Sequence, residues 1–224
     1  MKKKIVFSLI GILILLIAAG GFFWWQESGK KLREFEKYRQ EMETIYASPK
    51  DYVVKETAEG KFIENEKDGL TVKVPQGWRV EKTTELLELE GETVKLLSPD
   101  FNSEKGPLKG GCIIKIMVVR NSESLIRDAN TVRDFIIESQ KNPEKMKNFG
   151  YNESYEAIEI ANNRQALKKV SLIKSEDGME IGKYIRVEIP IGDKIYSFET
   201  AFIFQNPIDC NQEFNKFLET VSIK

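Results

Sequence analysis

One uninterrupted apolar run, Ile5 to Trp25, constrains this chain more than any other feature. Nothing in it is charged, and Ser8, Gly11 and the Gly20-Gly21 pair are its breaks. A helix rises about 1.5 Å per residue, so such a run reaches roughly 30 Å, enough to cross the hydrocarbon core of a bilayer. Lys2, Lys3 and Lys4 precede it, and Trp24 and Trp25 close it where amphipathic rings favour the membrane boundary. Residues 1–25 therefore read as a single-pass transmembrane anchor. The rival reading is a secretory signal peptide cut after the small residues Ala18-Ala19-Gly20. The apolar stretch is longer than a signal core of about 7–15 residues and continues past that point, which favours retention. No cysteine follows to take a lipid. The three lysines abut the run and hold the N-terminus in the cytoplasm, which puts the large domain outside it. Lys30, Lys31, Arg33, Lys37 and Arg39 argue for the reverse orientation.

The chain carries 34 basic and 35 acidic side chains. Three lysines and no acid fall in the first 25 residues, so the remainder holds 31 and 35, a net charge of −4. The signs are interspersed, and no basic stripe marks a nucleic-acid surface. Histidine is absent altogether. That excludes serine–histidine and cysteine–histidine catalysis, and removes the commonest general base and metal ligand.

Residues 26–59 read as a helical stalk and linker. Leu32, Phe35, Tyr38, Met42 and Ile45 recur at three- and four-residue steps, as a helical stripe does. The stripe fits a stalk helix that packs on its own domain or stays solvated; dimerisation through a short coiled coil is the alternative. Ser48-Pro49 ends the helix.

Residues 60–224 read as one α+β domain. Lys61–Asn65 and Leu70–Val74 alternate around an Asp-Gly turn, a hairpin signature. Pro75-Gln76-Gly77-Trp78 turns the chain and delivers an aromatic to the core. Arg79–Thr84 and Thr93–Leu97 are further strand candidates. Cys112–Val119 is apolar on both faces, as a strand covered on both sides requires. Asn130 is placed to cap a helix through Val132, Phe135 and Ile136, and Asn142-Pro143 to open another. Tyr151–Ile160 and Gln165–Lys174 alternate as strands. Lys183–Ile191 and Ile195–Phe204 form a hairpin across Gly192-Asp193-Lys194, with Phe198 on the buried face and Glu199 on the solvent face. Asn206-Pro207 resembles a helix start, and Phe214, Phe217, Leu218 and Val221 form that helix's buried stripe.

Gly69–Trp78 (GLTVKVPQGW), Gly192–Phe202 (GDKIYSFETAF) and Phe214–Ile223 (FNKFLETVSI), in this order of elements, resemble the PsbP-like family. Its fold is shared with a Ran-binding nuclear-transport protein and with membrane-anchored bacterial members. The resemblance spans roughly residues 60–224. It implies a central antiparallel sheet with helices packed on both faces, and no enzyme. Photosynthetic members are extrinsic subunits that steady a membrane complex and its ions, in part through histidine, which this chain lacks. No functional residue is carried over.

The remaining chemistry is sparse. Glu85, Glu88, Glu90 and Glu92 lack any fixed metal-ligand spacing and read as a solvated acidic loop. Gly106 and Gly110-Gly111 have no Gly-Lys-Ser/Thr ending, so they are no phosphate loop. Trp78 reads as a turn anchor ahead of a ligand-stacking face. No catalytic, metal or cofactor residue stands out. The expected function is a non-catalytic, membrane-anchored module that binds or scaffolds a protein partner outside the cytoplasm. The alternative is a membrane-anchored hydrolase using carboxylates in a cleft. Cys112 and Cys210 are the only cysteines. They bridge if their strand and helix meet, or stay as two buried thiols if they do not.

Overall fold

The computed structural model describes residues 26–38, 40, 41, 44–82, 94–102, 110–120, 131–134, 137, 153–160, 163–175, 177–204 and 209–224. The chain divides into two compact units, Met1–Met42 and Glu43–Lys224. In the first, residues 26–38 are helical, with Leu32, Phe35 and Tyr38 exposed. No helix among the described residues is long and apolar enough to cross a membrane, and the Ile5–Trp25 run lies outside them. So do the acidic run at 85–92 and the second helix expected from Asn142.

The second unit is built from antiparallel strands. They are β1 (Val53–Thr57), β2 (Gly60–Asn65), β3 (Leu70–Lys73), β4 (Arg79–Lys82), β5 (Val94–Leu97), β6 (Ile113–Val119), β7 (Glu153–Ile160), β8 (Arg164–Lys174), β9 (Glu180–Ile191), β10 (Lys194–Ile203) and β11 (Ser222–Ile223). One sheet runs β4-β5-β6-β10-β9-β8-β7, the other β1-β2-β3-β11. Where the described residues include them, the expected strands are present within about three residues, and differences fall at the ends of the unit. There, residues 44–52 join the core although the expected boundary lay at residue 60. Ala47 and Tyr52 are buried, Tyr46 bridges Val119, and Ala47 N–H donates to Val118 O at 2.9 Å. Two short contacts in an otherwise irregular stretch leave no periodic trace, which is why the pattern hides them.

The core lies on one face of the large sheet. Ile114, Ile116 and Val118 of β6, Tyr196, Phe198 and Phe202 of β10, and Ile185, Val187 and Ile189 of β9 share that face by register. What covers them is a second sheet together with the C-terminal helix, Cys210–Leu218. Ile63, Leu70 and Val72 of the small sheet and Phe214 and Phe217 of the helix complete one cluster. The Phe198 and Phe217 rings meet edge-on with centroids 5.7 Å apart. On the opposite face, Val132 of the helical residues 131–134 packs against Leu167 and Tyr155. The hairpin at Gly60–Lys73 closes into a sheet with β11, so strands as well as a helix fill the layer that covers the core.

The C-terminal helix is capped by Asp209, whose Oδ1 accepts from Gln212 N–H at 3.0 Å; the expected start at Asn206-Pro207 lies outside the described residues. A side chain adjacent to the first helical residue reaches the free N–H groups of the first turn. Cys210 therefore opens the helix. β10 pairs directly with β6, and Cys112 immediately precedes β6, so the two cysteines meet with Cα atoms 5.5 Å apart and their sulfurs bonded. That separation is in the ordinary range for a disulfide.

Glu199 departs from expectation. It lies opposite the core as alternation requires, yet it is only 5% exposed. Arg186 stands directly across from it on β9, with Nε 2.7 Å from Oε1, a contact close enough for an ion pair but not aligned as a hydrogen bond. Lys169 and Glu188 extend the row at 2.8 Å. Mid-sheet positions are covered on both faces, and the charges persist there because each meets its opposite.

Truncating Phe198 to alanine is expected to cost about 3–5 kcal/mol in chemical unfolding. Glu199→Ala is expected to cost about 1–3 kcal/mol, because it takes from the half-buried Arg186 the nearer of its two carboxylates. A Glu199→Ala protein as stable as the parent would show that this face is open to water.

Candidate functional site

The turn at Pro75–Trp78 shapes a concavity among the described residues. Trp78 N–H donates back to Pro75 O at 3.1 Å, and Gly77 takes φ 80°, the left-handed position a type II turn gives to glycine. Trp78 is buried, so it anchors the turn and offers no open stacking face. Between this turn, the start of β4 and the β1–β2 turn at Ala58-Glu59 lies a groove of about 930 Å³. A smaller hollow of about 220 Å³ lies across the Lys73–Gln76 strand end, against Phe217 and Thr220 of the C-terminal segment. The groove wall mixes signs: Lys61, Lys73 and Arg79 with Glu59 and Glu81. Lys61 is already paired with Glu56 at 3.1 Å. That lining suits a polar, extended ligand, with Glu59 and Glu81 as its acids.

The strongest electrostatic feature was not legible in the sequence. Arg120, the residue after β6, donates from Nε to Asp68 Oδ1 at 2.9 Å and from Nη2 to Asp68 Oδ2 at 2.6 Å. The same Nη2 reaches Asp51 Oδ2 at 2.7 Å. Lys194 Nζ sits 3.0 Å from Asp68 Oδ1, Asn65 Nδ2 donates to Asp68 Oδ2 at 2.8 Å, and the Tyr196 hydroxyl donates to Asp68 O at 2.5 Å. Asp51 is itself part of a capping box, accepting from Ser48 N–H at 3.1 Å. Four segments meet here: the entry to the domain, the β2–β3 turn, the end of β6 and the start of β10. Burial alone pushes the Asp68 carboxyl up, but hydrogen bonds from Arg120, Lys194 and Asn65 outweigh it and hold it below the ordinary carboxylate value. Asp68 first and Asp51 second hold the Arg120 guanidinium more firmly protonated than a free arginine. The only sequence trace is a charge ending an apolar strand and an acid inside a turn, and neither names its partner.

These arrangements bear on carboxylate chemistry. A carboxylate hydrolase needs one acid kept protonated and another free to act. Asp51 and Asp68 share one arginine, and Glu188 and Glu199 share another. Both pairs are thereby bound into ion networks. Among the described residues no group of three or more Cys, Asp or Glu is placed to hold a metal ion. Gly110 and Gly111 form no phosphate cradle: a Cβ on Gly111 would lie 2.7 Å from Ser98 Oγ and 2.8 Å from Phe101 N, so the glycine serves close packing.

No family model matches the sequence, and no curated protein matches it. Among solved structures, the chain is similar to the solution structure of cyanobacterial PsbP (CyanoP) from Synechocystis sp. PCC 6803. That match has a TM-score of 0.45 at 11% identity, covering 78% of this chain and 93% of that one. It is also similar to a crystal structure from Bacteroides thetaiotaomicron VPI-5482, with a TM-score of 0.43 at 11% identity. There it covers 70% of this chain and spans 45% of the other. With TM-scores under 0.5 these likenesses carry no argument about site or activity.

The Asp68 network makes a pH prediction with a definite sign. A carboxyl held low in the folded state contributes stability that is fully present above its unfolded value of about 3.9. That contribution is lost as pH falls through the lower folded value. Asp68→Asn is expected to cost about 3–5 kcal/mol at neutral pH, since it leaves Lys194 without its carboxylate and Arg120 with Asp51 alone. It is also expected to flatten the acid limb of stability against pH. Denaturant titrations from pH 7 to 2 check both; parallel acid limbs would remove Asp68 from the account.

Proposed function

We propose that the chain is a membrane-anchored, non-catalytic module whose C-terminal domain lies outside the cytoplasm and binds or scaffolds a protein partner. The observation that carries the non-catalytic part is the pairing of every buried carboxylate described above with an arginine or lysine. The anchor rests on the apolar run Ile5–Trp25 and its terminal tryptophans. The outward orientation rests on the three lysines before the run. It gains support from the bonded Cys112 and Cys210, because disulfides persist in oxidising compartments. The element order that resembles the PsbP-like family points the same way, towards a subunit that attaches to a membrane assembly.

Intact-mass analysis of chain purified from membranes, protease shaving of whole cells and cross-linking in native membranes test this reading together. Residues 1–25 retained, a domain cut from outside and a cross-linked protein partner are expected. A mature N-terminus near Gly21, or a domain protected until the membrane is breached, would overturn the anchored or the outward reading respectively. A domain that cross-links to no protein would overturn the binding reading.

A further inference from the structure

β1 is the exposed outer strand of the small sheet, and its backbone has an open side. All five of its residues are exposed, with Val53 and Val54 at 49% and 38%. Which backbone groups point outward follows from register. Val74 N–H donates to Lys61 O at 2.8 Å, so the backbone of Lys61 faces β3. The next residue, Phe62, therefore faces β1, where it pairs with Lys55. Lys55, with Val53 and Thr57 two residues either side, turns its N–H and C=O inward to β2. Val54 and Glu56 turn theirs away from the sheet. Tyr52 shares their parity, and its C=O already accepts from Lys82 Nζ at 2.6 Å, which closes that end. The open stretch thus runs from Val54 to Ala58, where the 930 Å³ groove begins.

We propose that this edge is a strand-addition site, filled by an extended segment of a protein partner that runs on into the groove. The proposal rests on the partner-binding reading above. The side chains define the segment's chemistry. Val54 lies opposite the fully buried Ile63, so the core reaches the sheet edge there and an apolar residue from the partner would extend it. Glu56 lies two residues on, on the same face; its largely exposed carboxylate, 3.1 Å from Lys61 on the inner side, would be shared by a basic residue across from it on the outer side. An antiparallel segment therefore carries a basic residue and, two positions later, an apolar one.

A second copy of the chain fits poorly. A two-fold axis normal to the sheet keeps faces, so it pairs residues whose numbers share parity. Centring on Lys55 or Glu56 sets like charges directly opposite, which destabilises. Centring on Val54 requires the Tyr52 carbonyl, which Lys82 occupies.

The probe is the capped heptapeptide Thr-Val-Thr-Lys-Thr-Val-Thr, added to the full chain in detergent at about millimolar concentration, a range suited to a short unstructured segment. Amide hydrogen exchange is followed residue by residue. At saturation, exchange at Val54 and Glu56 is expected to slow about tenfold while Val53, Lys55 and Thr57, already bonded to β2, stay unchanged. Glu56→Pro removes an outward donor without touching the β2 ladder and is expected to abolish the slowing at Val54. Glu56→Lys is expected to weaken it, which serves if the proline variant unfolds. Unchanged exchange at both residues would overturn the site. So would amides already slow in the free chain, or slow with protein concentration alone, the mark of a second copy. Such a result from a domain that still cross-links to a membrane partner would strike this edge and leave the binding reading standing.

Discussion

The pairing of β6 with β10, from Ile114 opposite Thr200 to Val119 opposite Ile195, holds the two ends of the chain's folded unit in one place. At one end of this ladder the Cys112–Cys210 bridge ties β6 to the C-terminal helix across 98 residues of sequence. At the other, Arg120 and Lys194 converge on Asp68 and draw in the small sheet. Between them Phe198 presses on Phe217. Hydrophobic burial supplies most of the stabilisation here, at about 25 cal/mol per Å² of apolar surface removed from water. The bridge and the charges decide which elements that burial brings together. Closing a loop of about 100 residues removes up to about 4.7 kcal/mol of unfolded-state freedom on the chain-entropy argument, although engineered bridges often deliver less.

Two arginine-centred networks sit on opposite sides of this account. Arg120 serves position: its fork to Asp68 and Asp51 fixes the entry segment and the β2–β3 turn against the end of β6. Arg186 serves register: it faces Glu199 across the β9–β10 ladder and Glu188 along its own strand. Buried ion pairs are weak contributors to net stability, because desolvation offsets most of the attraction, but a broken one is expensive. Their effect is therefore greatest on misaligned alternatives. A slip of one residue would leave Glu199 among apolar side chains and Phe198 against Arg186.

The strands were readable because alternation reports burial directly, as at Leu70, Val72 and Val74, all buried, against Thr71 and Lys73. The stripe Phe214, Phe217, Leu218 was readable for the same reason at helical spacing. Periodicity fails where contacts are few or polar. Residues 44–52 dock through a few isolated backbone contacts to the end of β6 and the polar links of Asp51 and Tyr52, and β11 is two residues long. Glu199 was assigned to water because alternation gives the face and is silent on what covers it. Cys112 and Cys210 were left open because strand order is a long-range property, and the β6–β10 adjacency decides it.

The functional reading joins a tether at one end of the chain to a domain whose buried charges are matched and whose open chemistry lies at an edge strand and a groove. Its central physical claim is that the domain folds with its sulfurs bonded, in an oxidising compartment. Counting thiols on full-length protein extracted from membranes, blocked at once and denatured without reductant, tests it most directly. The account predicts no free thiol per chain, and two after reduction. Two free thiols before reduction would contradict the bridge and remove its support for the domain's position outside the cytoplasm.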